Sequence, residues 1–213
     1  MQVASTPLAN GAPRWPDRLC LPLAFDPARL AADLAALDGD GWTPHFVRAN
    51  YAGDWSALPL RHAAGETHPL RQIAANPDMT TFVDGPLLAR LPYIREVVAA
   101  FRCPLRVVRL MRLMPGSSIR EHCDPDLDAD GGWARLHVPV ATNPHVDFRL
   151  NGKRIDMSVG SAWYLRLSDP HAVDNRGTTP RVHLVIDCEV DAWLAGLLDR
   201  ASRSALEVGP VTR

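Results

Sequence analysis

The chain has 213 residues, of which 46% are hydrophobic and 22% charged, with a formal net charge of −1. That balance suits a globular domain with one sizeable core, and the absence of a basic excess argues against a nucleic-acid partner. No stretch approaches the roughly 20 apolar residues of a membrane span, and Met1 to Pro16 lack the layout of an export signal, so a cytoplasmic protein is expected. Cys20, Cys103, Cys123 and Cys188 form no CxxC pair and are expected as free thiols.

The first 20 residues read as a loose lead-in. Asp26 can cap a helix with Pro27 at its first position and Leu30, Leu34 and Leu37 as its apolar stripe; Gly39 and Gly41 stop it. Residues 42–85 show no strong period and read as short strands and long loops. A second helix is expected from about Pro92 to Phe101. Beyond Pro104 the texture changes. Strands are expected at Leu105–Met114, Ser117–Cys123, Trp133–Thr142, Val146–Leu150, Lys153–Met157, Val159–Leu167 and Arg181–Glu189, with Asn151-Gly152 as a hairpin turn. Asp191–Ala201 reads as a short closing helix. About seven short strands separated by turns predict a β-sandwich or jelly roll, with the first hundred residues packed outside it. We therefore expect one domain over 1–213, in three parts: outer helices, loops and strands over 1–104, the β core over 105–190, and a C-terminal helix and tail over 191–213.

Two His-x-Asp pairs occur, His122/Asp124 and His145/Asp147. On a strand, residues i and i+2 share a face, so either pair could grip one ion. Context favours the first. His122 precedes several strands and His171 follows them, and a jelly roll makes such distant strands neighbours. His145 and Asp147 read as the solvated flank of a hairpin. Arg181 opens a strongly apolar strand and shares a face with His183; an inward arginine is costly unless an anion meets it, and its fork suits a carboxylate. Arg135 and His137 likewise share a face. The competing assignment pairs these arginines with Asp169, Asp174 or Asp187 as structural ion pairs. Asn50–Leu60, with Tyr51, Asp54 and Trp55, is the candidate pocket or lid segment, against a packed surface loop with core aromatics. Asp126, Asp128 and Asp130 read as an acidic rim or a polar turn, and Trp163 as core.

The set His122-x-Asp124, Arg135-Leu136-His137, Gly160-Ser161-Ala162-Trp163-Tyr164-Leu165, Pro170-His171 and Pro180-Arg181-Val182-His183-Leu184-Val185 resembles the aspartyl/asparaginyl β-hydroxylase-like branch of the Fe(II)- and 2-oxoglutarate-dependent oxygenases. Bacterial free-proline hydroxylases are similar in the same segments. The resemblance covers about residues 88–190 and leaves the N-terminal part unmatched. It implies a double-stranded β-helix, a jelly-roll variety. It further implies that His122, Asp124 and His171 hold Fe(II), and that Arg181 binds the distal carboxylate of 2-oxoglutarate. Arg135, His137 and His183 would stand near the cosubstrate. O2 would be the oxidant, with succinate and carbon dioxide released. The expected substrate is an amino acid, a peptide residue of the Asp/Asn type or another small acid. Related halogenases need the carboxylate position vacant, so Asp124 favours hydroxylation. The alternatives are a cupin-like metal isomerase or hydrolase without 2-oxoglutarate, and a non-catalytic metal-binding barrel. Arg181 speaks against the first, and the intact set His122, Asp124 and His171 against the second, since a structural ion needs no vacant positions.

Overall fold

Arg181–Glu189 shows how the sequence builds the fold. Val182, Leu184, Ile186 and Cys188 join one hydrophobic cluster, while Val185 joins another. Successive side chains on a strand point to opposite faces, so both faces of this strand are covered, and all but its last residue are buried. In the computed structural model, which describes residues 12–208 apart from 38, 40, 76 and 77, this strand is central to the larger of two antiparallel sheets.

The strands in chain order are β1 (Arg18–Ala24), β2 (Thr43–Pro44), β3 (Tyr51–Ala52), β4 (Trp55–Ala63), β5 (Phe82–Asp84), β6 (Leu105–Leu113) and β7 (Ser118–His122). They continue with β8 (Trp133–Ala141), β9 (Val146–Leu150), β10 (Lys153–Arg154), β11 (Ser161–Leu165), β12 (His171–Asn175) and β13 (Arg181–Glu189). The larger sheet runs β1-β11-β8-β13-β6-β4-β2, with β5 also on β4; the smaller runs β10-β9-β12-β7-β3. Apart from the consecutive pairs β9–β10 and β4–β5, neighbours in each sheet are distant in sequence, the mark of a double-stranded β-helix. The helices are α1 (Pro27–Ala35), α2 (Pro69–Gln72), α3 (Pro86–Ala89), α4 (Pro92–Ala100) and α5 (Ala192–Val208).

Two cores follow from the alternation. The outer face of the large sheet (Leu58, Leu110, Leu136, Leu184) packs on Leu30 of α1, Ile94 and Val97 of α4, and Leu194 and Leu198 of α5. Its inner face (Trp55, Met111, Leu165, Val185) meets Ile119, Phe148, Leu150 and Val173 of the small sheet. The polar site lies in this second layer.

Several expectations need correction. β1 begins within the lead-in, at Arg18, and runs on to Ala24, paired with β11. β4 is a nine-residue strand hydrogen-bonded to β6, so the sheet is not confined to residues 105–190. Pro59 concealed it, because proline argues against a central strand. The register shift between Pro59 and Arg61 is where β4 absorbs it. Asn50–Leu60 is therefore β3 and β4 rather than a loop, and Tyr51 and Trp55 are buried. β12 was not expected; Asp169-Pro170 and Gly177 made its surroundings read as turn. The closing helix is 17 residues long, not short. The expected helices α1 and α4 form within a residue or two, α1 with Asp26 accepting from the Ala28 and Arg29 amides. The Asn151-Gly152 turn has positive φ at both positions (52° and 70°), as a type I′ hairpin requires.

Candidate active site

His122 ends β7 and His171 opens β12, and the two are register partners on adjacent antiparallel strands. Their ring centroids lie 4.2 Å apart. Each ring is oriented through its Nδ1, which donates to a backbone carbonyl: Arg120 O at 2.7 Å for His122 and Asp169 O at 3.0 Å for His171. A carbonyl only accepts, so Nδ1 carries the proton and Nε2 offers its lone pair to the pocket. That tautomer is the one metal-binding histidines use. Burial pushes the His171 imidazole below its ordinary range, which keeps it neutral.

Asp124 follows β7 by two residues and is anchored by its amide to Leu167 O at 2.8 Å. Its Oδ1 stands 3.9 Å from His122 Nε2. Ligand atoms of His122, Asp124 and His171 all lie within 4.8 Å of one another, and no other three His, Cys, Asp or Glu groups converge this way among the described residues. Two imidazole nitrogens and one carboxylate oxygen at that spacing form a donor set suited to a divalent transition metal with open positions. Of the second His-x-Asp pair, His145 is exposed. Asp147 is buried rather than solvated and pairs with Arg149 at 2.9 Å.

Behind the triad runs a chain of buried charge. Arg135 Nη1 donates to Asp124 Oδ2 at 2.7 Å. Its Nε and Nη2 donate to Asp187 at 2.6 and 3.1 Å. Arg109 donates to the same Asp187 carboxylate at 2.9 Å. Burial alone would raise the Asp187 pKa, but Arg109 and Arg135 outweigh it and hold the carboxyl well below the usual carboxylate range. Arg135, expected beside the cosubstrate, thus spends three of its nitrogens on carboxylates. Asp187, weighed from the sequence as an ion-pair partner, has that place.

Arg181 differs. It is 3% exposed, and no carboxylate lies within ion-pair distance among the described residues. Its Nη2 contacts His183 Nδ1 at 2.9 Å, its Nε has no partner, and its guanidinium lies 5.7 Å from the Phe148 ring centre. Burial lowers its pKa to about 9. His183 Nδ1 lies 3.4 Å from His137 Nδ1, and His137 Nε2 is buried without a partner. Burial first, and Arg181 next, drive both imidazoles well below their ordinary range.

The triad, Arg109, Arg135, His137 and Arg181 line one cavity of about 300 Å³. His183 does not line it; it lies behind Arg181, facing a second cavity near the β9–β10 hairpin. The first is also lined by His45, Phe46, Val47, Asn50, Trp55 and residues 73–75. His45 stacks on Trp55 (centroids 3.6 Å apart), and burial, aided by Arg109, lowers its pKa to about 3. Asp126 lines the cavity, whereas Asp128 accepts from the Asp130 amide and Asp130 from that of Arg14. Trp163 is half-buried beside the inner core.

Sequence reasoning passed over Arg109 and His45. The signal that marks Arg181, an arginine within an apolar strand, is equally present at Arg109 in LRVVRLMRL. His45 carries no such signal.

The sequence model of aspartyl/asparaginyl β-hydroxylases matches residues 29–190, well beyond the segment that the motifs cover. The chain belongs to the aspartyl/asparaginyl β-hydroxylase family. It is 33% identical over 173 residues to an L-proline cis-4-hydroxylase of Rhizobium meliloti (strain 1021), covering 79% of this chain and 59% of that relative. The chain thus spans less than two thirds of that relative's length. Among solved structures it is similar to a 2OG-Fe(II) oxygenase family oxidoreductase from Burkholderia pseudomallei (TM-score 0.53, 17% identity, 81% of this chain and 85% of that one). It is also similar to a viral collagen prolyl hydroxylase from Paramecium bursaria Chlorella virus-1 (TM-score 0.50, 11% identity, 85% of this chain and 100% of that one). These likenesses establish the double-stranded β-helix fold for this family member. No helix among its described residues is long and apolar enough to cross a membrane.

Proposed function

We propose that the chain is an Fe(II)- and 2-oxoglutarate-dependent oxygenase that hydroxylates an unactivated C–H bond of a small acid, with a free amino acid as the first candidate. The observation that carries this reading is Arg181, a buried cation that pairs with no carboxylate among the described residues and lines the same cavity as the His122, Asp124 and His171 cluster. Leaving an ion buried and unpaired costs several kcal/mol, so its retention implies an anionic ligand. In this reading Arg181 seats the distal carboxylate of 2-oxoglutarate, and His183 orients the guanidinium through its Nδ1. His137 Nε2 faces the same ligand. His122, Asp124 and His171 would hold the iron. Iron, 2-oxoglutarate and O2 together supply the oxidising power, with succinate and carbon dioxide released.

The protein's own contribution is binding, orientation and exclusion of water. Ile73, Leu127 and Phe148 on the cavity wall keep the reacting region dry. A volume near 300 Å³ is at the small end of ligand pockets. It favours a single amino acid over a folded protein segment, as does the free amino acid in the name of the Rhizobium meliloti relative. A soluble cytoplasmic enzyme with no nucleic-acid partner fits the near-neutral charge.

The deciding test is an anaerobic titration of metal-free protein with Fe(II) and then 2-oxoglutarate. The expected result is the weak visible charge-transfer band of a chelated 2-oxo acid, lost in Asp124→Ala. Folded, iron-loaded protein that gives no band would sink the proposal and return the site to a metal isomerase or a binding barrel.

A further inference from the structure

We infer that Asp187 is a positioning residue for the metal site: acting through Arg135, it fixes which oxygen of Asp124 faces the metal. This rests on the reading of His122, Asp124 and His171 as the metal-binding set. Asp187 touches no member of that set, and it sits on β13, far along the chain from Asp124. It is, however, the direct cross-strand partner of Arg135 on β8. Its two oxygens take Arg135 Nε and Nη2, which fixes the guanidinium plane. The remaining terminal nitrogen, Nη1, then points at Asp124 Oδ2. With Oδ2 occupied, Oδ1 is left toward His122 Nε2. Asp124 itself is a third exposed and lies outside any strand, and among the described residues Arg135 is the one hydrogen-bond donor to its carboxylate.

The location of the ion pair supports the assignment. Arg135 and Asp187 face the inner layer, where an apolar pair of similar volume would serve stability as well or better. Arg109 adds a second donor to Asp187, so the carboxylate is held on two sides and has little freedom to rotate. A carboxylate locked from two directions transmits an orientation; a lone surface ion pair does not. Second-layer partners of this kind commonly change metal affinity 10–100-fold when removed.

Cobalt(II) alone is the probe, so no substrate or turnover is needed. Co(II) affinity and its visible absorption are measured for the full chain, for Asp187→Asn, for Arg135→Lys and for the double variant, with folding followed by circular dichroism. The inference predicts a 10–100-fold loss of Co(II) affinity in Asp187→Asn, a matching change of the visible band, a similar loss in Arg135→Lys, and no further loss in the double variant. A folded Asp187→Asn within twofold of the parent overturns it, as do losses that multiply in the double variant. A parent protein that fails to bind Co(II) would instead overturn the metal-site reading itself. Should Asp187→Asn not fold, Asp187→Asn with Arg109→Met removes one buried charge of each sign. The same 10–100-fold loss is then expected, and affinity within twofold of the parent again overturns the inference.

Discussion

At the scale of single residues, the site contains two kinds of buried arginine, and they should respond oppositely to removal. Arg135 and Arg109 are compensated by Asp187, whereas Arg181 has no carboxylate within ion-pair distance among the described residues. Arg181→Met should therefore leave the ligand-free protein as stable as the parent or more so, because it deletes an uncompensated buried charge. The same change should weaken 2-oxoglutarate about 10–100-fold, the loss of about 1.5–3 kcal/mol from a charged hydrogen-bonded contact. Heat unfolding without ligand and the 2-oxoglutarate dependence of succinate release measure the two effects. A protein that unfolds more easily yet keeps its 2-oxoglutarate affinity would make Arg181 a packing residue. Asp124→Ala separates the two His-x-Asp pairs in the same way. It should abolish turnover and weaken Fe(II) binding, while Asp147→Ala, which disturbs only a pair with Arg149, should leave both nearly intact. The reverse pattern would move the metal to the hairpin.

Elements were legible from the sequence where local pattern and tertiary context agree. β6, β8 and β13 alternate or run continuously apolar, and the Asn151-Gly152 turn carries its own chemistry. The pairing of β7 with β12 that joins His122 to His171 followed from jelly-roll connectivity, although β12 itself, a mixed segment between turn residues, did not read as a strand. The long β4 was hidden by Pro59. Asp187 was legible as one candidate ion-pair partner of the inward arginines, but not its choice over Asp169 and Asp174 nor its link through Arg135 to Asp124, because a contact between strands 52 residues apart leaves no local trace. The tie between α1 and α4 is another contact of this kind. Leu91, which precedes α4, offers no capping side chain; instead Asp33 of α1, only 6% exposed, accepts from the Ile94 amide at 2.7 Å. A carboxylate at that end also meets the positive end of the helix dipole. Asp33→Ala should cost about 1–2 kcal/mol, the range for a lost cap. That lowers the heat-unfolding midpoint by about 2–8 °C for a chain of this size. Asp33→Asn, which keeps the acceptor, should recover most of the loss; equal losses in both variants would trace the effect to charge alone.

For the whole molecule, the same burial that prepares the pocket sets its response to acid. His137, His171 and His183 are each at most 5% exposed, and burial lowers the pKa of all three below the ordinary 6.5. The folded protein therefore refuses protons that the unfolded chain accepts. Their stabilising contribution is fully present above pH 6.5 and is lost as pH falls from there toward the folded-state values, by up to about 1.4 kcal/mol per pH unit for each imidazole. Asp187 has its folded pKa depressed, so its contribution is intact throughout this window and declines only below the ordinary 3.8. The histidines thus decide the behaviour between pH 7.5 and 5.5. His45, whose pKa burial also lowers, adds a fourth such group; the four give about 4 kcal/mol at the lower end, which predicts that the heat-unfolding midpoint of metal-free protein falls by about 8–16 °C across that interval. His183→Asn, which removes one titrating group that does not line the main cavity, should flatten the slope by about a quarter. A midpoint independent of pH over this range would mean that these imidazoles titrate as freely in the folded protein as in the unfolded chain. The dry inner layer on which the pocket chemistry depends would then not exist.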